Sequence, residues 1–154
     1  MASFWIGVAS LTHVRMGVAG GFAQFSHGKK GPLQRMRVGD GLIYYSPRTD
    51  YPGGEVWQRF TAIGTVTGDE PYQVDMGGGF TPFRVDVKYL EAAEVSVRPL
   101  LPELTFIKDQ VHWGAAFRFG QLKISAHDFR TIAEAMGRDF ASDFEGDSEQ
   151  AAAI

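Results

Sequence analysis

Phe83-Arg84-Val85-Asp86-Val87-Lys88 is the stretch that decides the fold class. Apolar residues stand at 83, 85 and 87 and charged residues at 84, 86 and 88. That period of two belongs to a half-buried β-strand, because successive strand side chains point to opposite faces. Working outward, Ala93, Val95 and Val97 resume the alternation after an irregular stretch. On the N-terminal side, Pro71 opens a short strand to Met76, which Gly77-Gly78-Gly79 breaks. Residues 57–67 read as a long strand in which Gly64 predicts a bend or bulge. Residues 40–47 read as a buried strand stopped by Pro47, residues 4–10 as a first strand, and residues 121–124 as a last one.

Helices frame these strands. Thr12 is placed to cap a short helix that ends at Gly20-Gly21. Residues 100–107 read as a short helical turn between prolines. Ser125 and Asp128 stand three apart, close to a capping box. Phe129, Ile132, Ala133 and Met136 then form the apolar stripe of an amphipathic helix that Gly137 ends. Strands do not alternate with helices, which argues against a doubly wound parallel sheet and for an α+β fold or decorated barrel. The expected organisation is one domain over residues 1–138 and an acidic, flexible tail over 139–154.

Composition bounds the function. The 154 residues include 12 Phe, 5 Tyr, 3 Trp and 19 Gly, a mixture suited to curved β structure. With no cysteine, disulfides, thiol catalysis and cysteine-ligated zinc are excluded. No apolar run reaches the roughly 18 residues that span a bilayer, so no membrane partner is expected, and the reading is cytoplasmic. The net charge of −3 conceals an uneven distribution. Residues 139–154 carry five acids and no base, whereas residues 15–48 carry six bases against Asp40 alone. A local basic patch of this kind can contact phosphates.

Chemical motifs are few. There is no phosphate-cradling glycine loop that opens a helix. His13, His27, His112 and His127 show no metal-ligand spacing, and no serine sits in a nucleophile elbow. No cofactor and no metal are expected. Most rings belong in the core, but flat aromatic faces also stack on nucleobases, at ~1–3 kcal/mol per base. Tyr44 and Tyr45 must face opposite ways on their strand, so one at most can line a given pocket.

Several ordered pieces resemble the EVE domain family. They are Trp5-Ile6-Gly7-Val8-Ala9-Ser10, then Gly20-Gly21-Phe22-Ala23-Gln24-Phe25-Ser26-His27-Gly28-Lys29, then residues 32–40. Ile43-Tyr44-Tyr45-Ser46-Pro47, Phe60-Thr61-Ala62-Ile63-Gly64, Pro71-Tyr72-Gln73-Val74-Asp75-Met76, Trp113-Gly114 and Arg118-Phe119-Gly120 follow in the family's order. The resemblance implies a PUA-like curved, mixed β-barrel of five to six strands with flanking helices, related to the YTH domains that read methylated adenine. It implies a nucleic-acid-associated binding module that holds a modified nucleobase, in DNA or RNA, at one end of the barrel. By position, the base would meet Ser10, Gln24, Phe25, His27, Tyr45, Ser46, Trp113, Phe117 and Arg118. Lys29, Lys30 and Arg35 would meet phosphates. Ala23 and Ser26 stand where the family usually has cysteines. Two alternatives stay open: an enzyme acting on RNA or a nucleotide through Lys29, His27 and Tyr45, and a protein-interaction module whose exposed rings form a homodimer face.

Overall fold

The alternating stretch forms a strand that borders the middle of a single mixed sheet. The structure, a computed structural model, describes residues 2–145. Its elements in chain order are β1 (Phe4–Val8), α1 (Leu11–Gly20), β2 (Phe22–Ala23), α2 (Lys30–Arg35), β3 (Gly41–Arg48), β4 (Val56–Val66), β5 (Tyr72–Gln73), β6 (Phe83–Leu90), β7 (Val95–Ser96), β8 (Gln121–Ile124) and α3 (Ala126–Ala135). Short 3-10 turns cover Ser26–Gly28, Arg98–Glu103 and Trp113–Phe117.

The sheet runs β2-β6-β4-β3-β1-β8, with β5 beside β6 and β7 beside β4. Among the described residues, only β1 and β3 pair in parallel, from Phe4 opposite Gly41 to Val8 opposite Tyr45. The chain covers that parallel return with α1, as a parallel pair requires a crossover. The six-strand path curls into a half-barrel. This is the expected PUA-like architecture.

Residues alternate between two cores. Ile43, Tyr45, Phe60 and Ile63 pack under α3 with Phe129, Ile132, Ala133 and Met136. Leu42, Tyr44 and Val66 pack on the opposite face with Val14 of α1 and with Phe25 and Leu33. Just before β3, Asp40 is buried and accepts three hydrogen bonds, from Trp5 Nε1, the Ser3 amide and the Arg37 amide, each at 2.9 Å. Asp40→Ala leaves those donors without an acceptor. It is expected to cost about 2–4 kcal/mol and lower the melting midpoint by about 5–15 °C, read by calorimetry.

Several local expectations need correction. Ser10, not Thr12, caps α1, with its Oγ accepting from the His13 amide. Gly64 marks a close approach rather than a bulge: a Cβ there would lie 2.6 Å from the Lys88 carbonyl oxygen, while the register shifts fall between Tyr44 and Tyr45 and between Ser46 and Arg48. The acidic segment does not leave the domain at residue 139. Phe140 is buried against Phe4 and Phe129, Phe144 meets Phe129 at 4.9 Å, and Arg138 pairs with Asp143 at 2.8 Å. The rest of the expected tail, residues 146–154, lies outside the described residues.

Candidate nucleic-acid interface

The loop that follows β2 is held from below. Gly7 of β1 has no side chain, and the Phe25 ring fills that space: a Cβ on Gly7 would lie 2.2 Å from Phe25 Cε1. Phe25 also packs on Tyr44, with ring centroids 5.5 Å apart. The Gln24 backbone is clasped on both sides. Its carbonyl oxygen accepts from His13 Nε2 at 2.8 Å and from the Tyr44 hydroxyl at 3.4 Å, and its amide donates to that hydroxyl at 3.3 Å. A ring nitrogen bonded to a carbonyl must carry the proton, so His13 is fixed as the Nε2–H tautomer. Burial, with help from the Arg84 charge, pushes the His13 pKa below its ordinary value, despite the opposing effect of the carbonyl. The same burial raises the Tyr44 phenol.

The Gln24 side chain has a fixed orientation. Arg84 Nε donates to its Oε1 at 3.0 Å. Arginine has no acceptor, so the oxygen must face it. Gln24 is buried, at 5% exposure, and its amide N–H groups take no partner among the described residues. Arg84 itself lies over the Phe22 ring at 3.8 Å and donates to Met76 Sδ.

Beyond Gln24 the backbone is strained. Ser26 and His27 have φ of 48° and 60°, a region that side chains with a Cβ seldom occupy. Such strain persists where the surroundings enforce it, and it clusters at ligand sites. Gly28, at φ 84°, presses on Pro82, where a Cβ would come within 2.3 Å of the proline Cβ. The turn projects His27 outward beside Tyr51, which is 77% exposed, with ring centroids 5.9 Å apart. Lys29, Lys30 and Arg35 follow on the exposed side, and none forms a salt bridge among the described residues.

The other expected site residues divide between two faces. Tyr45 and Phe117 lie on the α3 side of the sheet, stacked on each other at 4.1 Å, and each is over 90% buried. They fill the gap that a sandwiched base would need. Phe25 is core, Ser46 is buried with its Oγ bonded to Thr61 at 2.8 Å, and the Ser10 Oγ caps α1. Tyr45, Phe117, Phe25 and Ser46 are therefore buried, and the hydroxyl of the partly exposed Ser10 is engaged at the helix cap. Trp113 is partly buried and lines a separate cleft of about 250 Å³ with Phe106, Lys108, Asp109 and His112. Arg118 is exposed on the segment between Trp113 and the loop. Tyr45 is buried against Phe60 and Phe117, whereas His27 and Lys29 are exposed on the loop, and no contact among the described residues joins the three.

Sequence reading missed His13 and Arg84, which orient Gln24, and Tyr51, which meets His27. The contacts span 11 and 60 residues for His13 and Arg84. The available signal for Arg84 was its place on the strictly alternating strand, one residue from the buried Val85. Among the described residues, no group of three or more histidine or acidic side chains could hold a metal ion, and no helix is long and apolar enough to cross a membrane.

Comparison with known proteins places this arrangement. A family model described as EVE domain matches residues 3–135. The chain is 52% identical over 139 residues to the UPF0310 protein msl3206 of Mesorhizobium japonicum, covering 89% of this chain and 93% of that one. It is 47% identical over 135 residues to the UPF0310 protein YdcG of Bacillus subtilis, covering 88% and 92%. Among solved structures, it is similar to the YTH domain of Zygosaccharomyces rouxii MRB1 in complex with N6-methyladenosine RNA, with TM-score 0.60, 13% identity and coverage of 90% and 86%. It is also similar to human THYN1 in complex with 5-methylcytosine containing DNA, with TM-score 0.52, 11% identity and coverage of 90% and 99%.

Proposed function

The chain belongs to the EVE domain family, and from that premise we propose that it is a nucleic-acid-binding module that reads a modified base at the Gln24–Lys30 loop. The observation that carries the reading is the fixed amide of Gln24. Its oxygen is held by Arg84 and its backbone by His13 and Tyr44, and its N–H groups, on a side chain only 5% exposed, have no partner among the described residues. His27 and Tyr51 stand beside it as exposed rings for stacking, and Lys29, Lys30 and Arg35 supply phosphate contacts. The similar folds that hold N6-methyladenosine RNA and 5-methylcytosine DNA support the ligand class.

Energetics limit the selectivity. Extruding a base from a duplex costs a few kcal/mol. Stacking returns ~1–3 kcal/mol per base, so single strands should bind more tightly than duplexes. An added methyl group in an apolar corner contributes only roughly 1–3 kcal/mol. Preference for a modified base should be modest unless Gln24 also distinguishes its edge.

The test is a titration of single-stranded oligonucleotides carrying N6-methyladenine, 5-methylcytosine or plain bases, repeated across salt concentrations. Saturable binding with a modified-base preference is expected. Exchanging Lys29 and Lys30 together for alanine should reduce the slope of log K against log salt by ~1.4 in magnitude, the share of two single-strand phosphate contacts. An unchanged slope would remove these lysines from the interface, and no binding to any probe would overturn the reading.

A further inference from the structure

Pro47 interrupts the ladder between β3 and β4. Proline has no amide hydrogen, so β3 offers no donor at that position. Ser46 pairs with Arg59 and Arg48 with Val56, which leaves Trp57 and Gln58 of β4 facing Pro47 alone. Two residues opposite one make a β-bulge, a device that re-aims side chains. Gln58 pays for it with a φ of 52°, a strained value that glycine would adopt at less cost. Resting on the reading above, we infer that Arg59 and Arg98, both tied to this bulge, form a further phosphate-binding site, which takes the sugar–phosphate backbone of the strand whose base is read at the loop.

A ring places each guanidinium. Arg59 lies over Trp57, 3.9 Å from the ring centroid. That indole is itself held, because its Nε1 donates to Glu94 Oε1 at 2.8 Å. Glu94 turns its other oxygen to Arg15, 3.8 Å away. Arg98 lies 5.4 Å from the Trp113 ring centroid and donates from Nη2 to Gln58 Oε1 at 2.9 Å. Both arginines are exposed, and neither pairs with a carboxylate among the described residues.

The backbone keeps the two together. Arg59 stands opposite Ser96, whose Oγ accepts from the Arg98 amide at 3.3 Å. The Gln58 carbonyl accepts from the Val97 amide at 3.1 Å. Gln58 is therefore the chain neighbour of Arg59 and the side-chain partner of Arg98. A guanidinium laid on an aromatic face keeps its N–H groups in a rigid planar fork, which matches the oxygens of a phosphate and gives up little freedom on binding.

The β3–β4 hairpin joins this site to the loop. Tyr51 in its turn meets His27, and Arg59 follows on the returning strand. Residues 48–59 balance Arg48 and Arg59 against Asp50 and Glu55. The hairpin thus draws a phosphate to its oriented guanidinium groups rather than by net charge.

The experiment uses the full chain and a ten-nucleotide single strand with N6-methyladenine or 5-methylcytosine at its centre, whichever binds, beside its plain counterpart. Anisotropy titrations across salt concentrations compare wild type with the double variant Arg59→Gln, Arg98→Gln, and melting midpoints are taken alongside. Loss of two single-strand phosphate contacts should reduce the slope of log K against log salt by ~1.4 in magnitude. Modified and plain strands should weaken by the same factor, because phosphates carry no sequence information. If the double variant fails to fold, each single variant should lose ~0.7 of slope. Gln58→Gly, which relieves the backbone and releases Arg98, should weaken both strands at a melting midpoint no lower than wild type. Undiminished binding by Gln58→Gly contradicts the part given to the bulge. A wild-type slope in the folded arginine variants, or a loss confined to the modified strand, overturns the phosphate site and leaves the loop reading standing. Failure of wild type to bind either strand overturns both.

Discussion

Replacing Gln24 by glutamate is expected to weaken oligonucleotide binding by roughly ten- to a hundredfold while leaving the melting midpoint close to wild type. The two side chains have the same shape, and either offers an oxygen to Arg84 Nε, 3.0 Å away in wild type. The glutamate bond is charge-assisted and at least as strong, so the loop keeps its position. What changes is the other end of the group. Glutamine presents N–H donors there, and ionised glutamate presents a second acceptor. An acceptor on a base edge that met a donor now meets an anion, and a buried acceptor left unpaired costs about 1–3 kcal/mol. The measurement is anisotropy titration paired with calorimetry. Undiminished binding would show that the Gln24 amide is not read. Lost binding with a large fall in the midpoint would show only that the loop had been displaced.

Gly7→Val is expected to damage both stability and binding. A Cβ at that position would lie 2.2 Å from Phe25 Cε1 and 2.9 Å from Tyr44 Cε1, and both rings are buried. Neither ring is the free end of a flexible chain, since Phe25 is wedged against Tyr44 and Tyr44 bonds Gln24. Overpacking a core of this kind typically costs about 1–3 kcal/mol, and valine adds two further methyl groups beyond the Cβ. Because β1 lies between β3 and β8, the alternative to strain is loss of the loop's seat on the sheet. Denaturant unfolding should show the lower stability. The folded fraction should bind oligonucleotide at least about tenfold more weakly, because Gln24 moves with Phe25. Full binding by a folded Gly7→Val protein would mean that the Phe25 seat does not position the site.

The fold was readable where one physical rule governed a stretch. Alternation exposed β6, and the stripe of Phe129, Ile132, Ala133 and Met136 is the face that α3 buries. The boundary at residue 138 failed for a matching reason. Charge summed over a segment describes its solvent face, but Phe140 and Phe144 reach the core one by one through an acidic background. The proposed site was legible as a loop, because glycines, bases and rings gather between residues 20 and 35. Its wiring was not. His13 and Arg84 act on Gln24 across the fold, and no local pattern marks such a contact. Tyr45 and Phe117 show the complementary error. Rings suited to stacking on a base are equally suited to stacking on each other, and burial drives them to do so.

The most direct measurement is amide NMR shift mapping of the whole chain during titration with a single strand that carries the preferred modified base. The account predicts that the largest, saturable changes fall on Gln24–Lys30 and Tyr51. Saturable changes that bypass Gln24–Lys30 entirely would contradict it.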